Sequence, residues 1–348
     1  IYKSGDKIGT EKELCEKFDV SRSTVRRALL ELEESDLIER LLGKGTFVKE
    51  SNSLKTKPNN KNIMVIVPVI SQDFISNIIT GIQKITNESG YEINLCITNN
   101  SIEKETEYVK KAIQNDVSGV ILHPTNSTYY NTEVIKLIEK KPLIMTARYY
   151  EYIDCNYVVP DNYKGAFKAV NFLIKLGHKN IGLIADKPNH QTSIKDRIRG
   201  YKEAHNINKL PVNQNIIIDN LEDPCKLYSS NPKNKNDTLN KIKNYLRDNR
   251  KNLSAVFAVN DFIGREIIIA AKELGINIPE EISIVGFDNV MISKKSEPPL
   301  TTIEWSQYKV GNRAAKELIN LIENNPQKSI KKILPVNLVE RKSTLKLI

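Results

Sequence analysis

The chain has 348 residues, enough for two or three domains, with four cysteines and a net charge of +10. Cys15, Cys96, Cys155 and Cys225 are far apart and form no CxxC pair, which argues against structural zinc or a redox pair and for reduced thiols. The charge hints at a polyanionic partner, but residues 1–61 carry 13 Lys and Arg against 11 Asp and Glu and the remainder 39 against 31, so local arrangement must carry any nucleic-acid reading.

The chain starts at Ile1 rather than Met, so part of the first domain is expected to be missing. No apolar run reaches the ~18 residues of a membrane span, and no signal-peptide pattern is read, so no membrane partner and a cytoplasmic location are expected. Gly5-Asp6-Lys7-Ile8-Gly9 reads as a turn. Thr10 with Glu13 forms a capping box, predicting a helix to about Phe18 with Leu14 and Phe18 as i, i+4 partners. Asp19-Val20 is a turn, and Ser21 is the N-cap of a second helix. There Val25, Ala28, Leu29 and Leu32 fall at the spacing of one buried face, leaving Arg22, Ser23 and Arg26 off it. Leu37–Leu42 and Thr46–Val48 around Gly43-Lys44-Gly45 predict a hairpin. Taken alone, the second helix matches any amphipathic surface helix. Preceded by a capped helix and followed by a hairpin, it becomes the reading helix of a winged helix-turn-helix, whose Arg and hydroxyl side chains suit phosphates and base edges of double-stranded DNA.

Residues 5–48 resemble the winged helix of the GntR family of bacterial transcription regulators. Three motifs carry the likeness: Gly5-Asp6-Lys7-Ile8-Gly9-Thr10-Glu11-Lys12-Glu13-Leu14, Val20-Ser21-Arg22-Ser23-Thr24-Val25-Arg26-Arg27-Ala28-Leu29, and Gly43-Lys44-Gly45-Thr46-Phe47-Val48. The resemblance implies operator contacts from Lys12, Ser21, Arg22, Ser23, Thr24 and Arg26, with Lys44 and Gly45 on the wing. Gly9-Thr10 replaces the family's Pro-Ser, and Asp19 replaces its turn glycine.

Residues 51–61 are polar and read as a flexible linker without an amphipathic helix. From residue 62 to 348, buried-strand runs such as Ile63–Pro68, Val117–Leu122, Ile181–Ile184, Ala255–Val259 and Ile282–Gly286 alternate with helical stretches. This predicts parallel α/β sheets in two lobes around a cleft, one of about 62–159 with 306–323, the other of about 160–303 with 328–348. Asn220–Asn236 reads as a loose inserted loop.

Ligands of such folds bind at the carboxyl ends of strands, where this chain repeatedly places polar residues. They are Ser71, Asp73 and Phe74, then His123, Arg148, Asp161, Arg197, Asn260, Asp261 and Asp288. Any one of them could be a solvated loop residue. Recurrence at nearly every strand end makes them a candidate effector site, with Asp, Asn and Arg for adjacent hydroxyls and Phe74 for an apolar sugar face.

This part resembles the effector domain of the LacI/GalR regulators, itself similar to periplasmic sugar-binding proteins. The motifs are Asp161-Asn162-Tyr163-Lys164-Gly165-Ala166, Arg197-Ile198-Arg199-Gly200-Tyr201, Val259-Asn260-Asp261, Ile284–Asn289 and Pro298–Ile303. The likeness implies that Arg197, Asp261 and Asp288 grip the effector, with Asn260, and that Phe74 and Arg148 come from the N-terminal lobe. Ala147 stands where many members carry Asp, which removes one common hydroxyl acceptor.

The expected fold is thus an α+β winged helix-turn-helix in residues 1–50 followed by an α/β two-lobed periplasmic-binding-protein-like domain. The pairing is similar to the arabinose repressors of Gram-positive bacteria. That resemblance implies a homodimeric repressor released from its operator by L-arabinose. Another pentose or hexose, a sugar phosphate or a nucleobase stays open as effector, as does co-repression. No nucleotide-cradling, nucleophile-elbow or zinc-protease motif is found, so neither enzyme activity nor a cofactor or metal is expected.

Overall fold

The computed structural model describes residues 5–34, 37–41, 45–49, 61–70, 73–125, 130–187, 192–221, 232–324, 326 and 328–347. Most of the linker, Ser71, and the wing tip with Lys44 lie outside them.

In the first domain β1 (Lys7–Ile8) precedes α1 (Glu11–Phe18), α2 (Arg22–Glu34), β2 (Ile38–Leu41) and β3 (Gly45–Val48). The capping box forms: Thr10 N donates to Glu13 Oε2 at 2.7 Å and Glu13 N to Thr10 Oγ1 at 3.3 Å. Asp19, at φ 51°, ends α1 in the left-handed region that Asp tolerates. The hairpin β2–β3 is antiparallel, and β1 pairs with β3 on its other edge. Lys7-Ile8 is therefore a short strand rather than part of a turn, fixed by its partner Phe47-Thr46. The core is Ile8, Leu14, Val25, Leu29 and Ile38. The buried stripe of α2 is narrower than its spacing predicts. Ala28 is exposed and Leu32 half-buried, and on α1 Phe18 is exposed, because of the residues on these two helices this small core covers only Val25, Leu29 and Leu14 fully.

The large domain holds two six-stranded sheets. β4 (Asn62–Val67), α3 (Asp73–Glu88), β5 (Glu92–Ile97), α4 (Ile102–Gln114), β6 (Gly119–Leu122), α5 (Thr132–Lys140), β7 (Leu143–Thr146) and β8 (Tyr157–Pro160) build lobe 1. α6 (Asn162–Lys175), β9 (Ile181–Asp186), α7 (Thr192–Ile207), β10 (Ile217–Leu221), α8 (Pro232–Asn249), β11 (Ala255–Ala258), α9 (Asp261–Glu273), β12 (Ser283–Asp288), α10 (Met291–Lys295) and β13 (Thr301–Trp305) build lobe 2. The chain then returns to lobe 1 as α11 (Gln307–Asn324) and β14 (Lys331–Leu334), and β15 (Val336–Val339) completes lobe 2.

The strand orders are β14-β8-β7-β6-β4-β5 and β10-β9-β11-β12-β13-β15, all parallel except β15. Apolar runs such as Val120–Leu122 and Ile181–Ala185 are buried throughout, as expected of strands covered on both faces. Lys331–Leu334 pairs with β8 and so belongs to lobe 1, not lobe 2 as the sequence boundaries have it. Of the expected loop 220–236, Asn220 and Leu221 belong to β10 and α8 begins at Pro232, which suits a first helical position, while residues 222–231 lie outside the described residues.

The lobes are joined at three crossings, after β8, after β13 and between β14 and β15. α11 packs on α3 closely enough that a Cβ at Gly81 would overlap the Tyr308 carbonyl, and one at Gly311 that of Ile78. This seam anchors the returning chain to lobe 1. Among the described residues no helix is long and apolar enough to cross a membrane.

Candidate functional site

Strand ends of both lobes meet at one cavity of about 80 Å³. β12 ends at Asp288 (φ 110°), and Asn289 (φ 51°) follows it; both are left-handed, a conformation that costs energy and clusters at functional sites. Arg197, on α7 and 5 % exposed, reaches that carboxylate. Its Nη2 donates to Asp288 Oδ1 at 2.8 Å and its Nη1 to Oδ2 at 3.4 Å. Nε donates to Asn162 Oδ1 and Nη1 to the Val259 carbonyl, while the guanidinium lies 3.7 Å over the Phe287 ring. Trp305 Nε1 donates to the same Asp288 Oδ1 at 2.9 Å. Asn260 lines the cavity while its Oδ1 caps α9 by accepting from Ile263 N.

Lobe 1 supplies the facing wall. Phe74, second residue of α3, lies 6.0 Å from the His123 ring, centroid to centroid. Arg148 Nη2 donates to His123 Nε2 at 3.1 Å. His123 is buried, and burial followed by the Arg148 charge holds its pKa well below the usual imidazole range. Ala147 takes a left-handed φ of 63° between β7 and Arg148. Two pairs bridge the lobes beside the cavity: Tyr149 N donates to Thr192 Oγ1 at 3.1 Å, and Lys195 Nζ meets Glu151 Oε2 at 2.9 Å.

In the first domain the N-terminal end of α2 is left open. Ser21 Oγ accepts from Thr24 N at 3.2 Å and shares hydroxyl contacts of 2.8 Å with Ser23 and Thr24. Ser21, Arg22, Ser23, Thr24 and Arg26 are all exposed, as are Lys12 on α1 and Gly45 at the start of β3. Arg22 Nε is held by Glu11 Oε2 at 3.0 Å, and that bond lowers the Glu11 pKa. A helix N-terminus carrying exposed hydroxyls and guanidinium groups is a surface for a phosphate backbone and base edges.

Residues 1–48 match the bacterial regulatory proteins of the gntR family, and residues 170–344 match the periplasmic binding protein-like domain. The arabinose metabolism transcriptional repressor of Geobacillus stearothermophilus is 31 % identical over 337 residues, 95 % of this chain and 88 % of that protein. Its counterpart from Halalkalibacterium halodurans is 30 % identical over 325 residues, 91 % and 84 %. The chain belongs to the bacterial transcriptional regulators that join a gntR-type head to a periplasmic binding protein-like domain. It is a DNA-binding transcriptional repressor of the sugar-responsive type, not an enzyme. Among solved structures, a LacI family regulator from Enterococcus faecium with bound ribose superposes with a TM-score of 0.68 at 26 % identity, covering 83 % of this chain and all of that one.

Of the regulator's expected effector residues, the structure gathers Phe74, His123, Arg148, Arg197, Asn260 and Asp288 around the cavity. It does not bring Asp73, Asp161 or Asp261 there. Asp73 is the exposed first residue of α3. Asp161 caps α6, accepting from Lys164 N at 2.9 Å. Asp261 is fully buried behind β12, accepting from Thr302 Oγ1 and Val290 N, and Gly286 is needed beside it because a Cβ there would overlap its carboxylate. Ser71 and Lys44 lie outside the described residues. The cavity also contains Asp186 and Trp305, which the sequence reading passed over. Both had a signal. Asp186 closes the apolar run Ile181–Ala185, as Asp288 closes its own, and Trp305 is the chain's single tryptophan, at the end of a strand.

Proposed function

We propose that this regulator is a cytoplasmic homodimer that represses pentose-use genes and releases its operator when L-arabinose enters the cleft. The observation that carries the reading is the cluster of Arg197, Asp288 and Trp305 opposite Phe74 in a cavity of about 80 Å³. A free sugar presents adjacent hydroxyls that each donate and accept, together with apolar C–H faces. Carboxylates, guanidinium groups and aromatic rings serve those features in turn. At ~10–15 Å³ per water-sized group, a cavity of about 80 Å³ has no room for a second sugar ring. Support for arabinose comes from the two relatives named for arabinose metabolism, and support for a pentose from the ribose-bound structure.

Effector binding between the lobes favours their closed arrangement, with the three crossings as the hinge. A sugar that prefers the closed state shifts the protein towards it and changes how two heads address the half-sites of a near-palindromic operator. The contacts at the start of α2, from Ser21, Arg22, Ser23, Thr24 and Arg26 with Lys12 and Gly45 beside them, select the operator. A phosphorylated or acidic sugar is the second reading, favoured by the Arg148 guanidinium in the cavity.

Titration calorimetry with L-arabinose, D-xylose, D-ribose and arabinose 5-phosphate separates these readings. Heat with L-arabinose alone is the expected result. Heat only with another free sugar ends the arabinose assignment, and heat only with the phosphate ends the free-sugar one.

A further inference from the structure

We propose that Thr192 is the latch of the closed cleft: its hydroxyl binds both backbone groups of Tyr149 across the lobes and so sets how tightly the effector is held. This rests on the reading that the sugar prefers the closed arrangement, and adds the residue that sets the balance between open and closed.

Thr192 is the first residue of α7 in lobe 2, and Tyr149 follows β7 in lobe 1. Tyr149 N donates to Thr192 Oγ1 at 3.1 Å, and Thr192 Oγ1 donates to the Tyr149 carbonyl at 3.4 Å. One hydroxyl, with one hydrogen and free lone pairs, thus serves the donor and the acceptor of a single residue on the other lobe. Both ends are stiff. The Tyr149 ring stacks on Tyr157 of β8, with 4.0 Å between centroids. α7 is held to lobe 2 by the Arg197–Asp288 pair and by packing on α6, where a Cβ at Gly200 would overlap the Tyr163 carbonyl. Neither residue stands at a crossing, so rotation of the lobes about the crossings pulls the pair apart. The pair also adjoins the cavity. Ala147 and Arg148 precede Tyr149, Ser193 and Ile194 follow Thr192, and all four line it.

Burial decides which inter-lobe contact matters most. Thr192 is 3 % exposed, so its bonds are shielded from water, whereas the Lys195–Glu151 bridge beside it is about one-third exposed and solvent-screened. Opening exchanges the two Thr192 bonds for bonds to water, and their loss moves the closed-to-open ratio by about tenfold. The sugar is bound by the closed arrangement and the operator by the open one. Losing the latch therefore weakens the sugar and leaves operator affinity in its absence equal or tighter. Per protomer, the two fold-changes multiply to the factor taken from closure. Exchange of the Tyr149 amide reads the latch itself, because this N–H is donated across the cleft and is freed on opening.

The test compares the wild type with Thr192→Val, which puts a methyl group in place of the hydroxyl, and with Thr192→Ser, which keeps the hydroxyl and drops the methyl group. L-arabinose, D-xylose and D-ribose are titrated by Trp305 fluorescence, operator affinity is read by anisotropy, and Tyr149 amide exchange by mass spectrometry. Thr192→Val is expected to bind sugar about tenfold more weakly and Thr192→Ser within about twofold of the wild type. Operator affinity of Thr192→Val stays equal or rises, and its Tyr149 amide exchanges faster. In the wild type, saturating sugar slows that exchange. Equal sugar affinity of the wild type and Thr192→Val overturns the proposal. So does a Thr192→Ser weaker than Thr192→Val, which makes the role one of packing, or a Thr192→Val with weaker operator binding. Should Thr192→Val fail to fold, the wild type decides alone, since Tyr149 exchange that sugar does not slow ends the latch. If L-arabinose fails to bind while another of the sugars shows the full pattern, the arabinose assignment falls and the latch stands. If no sugar binds, the sugar reading falls and sugar-free exchange decides: faster in Thr192→Val keeps the latch, equal in both proteins ends it.

Discussion

Arg197 and Asp288 meet at 2.8 Å although they are 91 residues apart, one from a helix and the other from the end of a strand. The pair is buried on the Arg side at 6 % exposure and is shared, since Trp305 donates to the same carboxylate oxygen. Arg197 also ties Asn162 and the Val259 carbonyl, so one guanidinium holds three segments of lobe 2 in place. A lysine keeps the charge but lacks the planar fork. We expect Arg197→Lys to bind operator as the wild type does and to lose about 1–3 kcal/mol of effector affinity. Titration of Trp305 fluorescence checks this, the signal being free of other tryptophans.

The reading helix should respond in the opposite sense. Arg22 is 82 % exposed at the N-terminal end of α2, steadied by Glu11. If it contacts a base edge, Arg22→Ala costs about 1–3 kcal/mol on operator binding and leaves the Trp305 titration unchanged. Fluorescence anisotropy on a labelled operator measures the first effect. A variant that keeps full operator affinity would remove Arg22 from the contact surface.

The contrast between these two residues shows what the sequence could and could not convey. Arg22 was legible because its neighbours are local: the Thr10–Glu13 box, the Ser21 cap and the hairpin all lie within fifty residues and obey short-range rules. In the large domain, the rule that polar residues at strand ends meet in one cleft found Arg197, Asp288, His123 and Arg148. The same rule also picks Asp261 and Asp161, which the structure places away from the cavity lining. A carboxylate at a helix start can face the cleft, cap the helix or turn into the core, and only the tertiary packing decides among these. Adjacent Asn260 and Asp261 show it, the first lining the cavity and the second fully buried. Lys331–Leu334 was assigned to the wrong lobe for a related reason, since a strand's sheet depends on its partner, here β8, and not on its own residues.

The bridge between Glu151 and Lys195 spans the two lobes with both side chains about one-third exposed. Such a pair is worth about 0–1 kcal/mol, too little to matter for folding but enough to bias closure. Lys195→Ala is expected to leave thermal stability unchanged and to raise the effector concentration for half-saturation by up to about fivefold. Raising the salt concentration on the wild type should shift the titration in the same direction, and should do nothing to the variant.

Asp261 gives a pH signature. Burial first, and the Asp288 charge second, push its carboxyl up to about 8, against about 3.9 in an unfolded chain. The folded state therefore holds the proton more tightly, so the wild type loses stability as pH rises through the window from about 4 to about 8. Asp261→Asn cannot titrate and should lack this loss. Urea unfolding at pH 5, 7 and 8.5 is expected to show the variant gaining on the wild type with rising pH. Parallel pH profiles would place the ionisation of Asp261 outside this window.

In the proposed mechanism, occupation of the cleft governs the grip of the reading helix on DNA. The most direct measurement is release of a labelled operator by L-arabinose, followed by anisotropy for the wild type and for Arg197→Ala in parallel. The expected result is release of the wild type and an operator complex of Arg197→Ala that ignores the sugar. Release of both proteins at the same sugar concentration would contradict it, because the sugar would then act without the residue that builds the cleft.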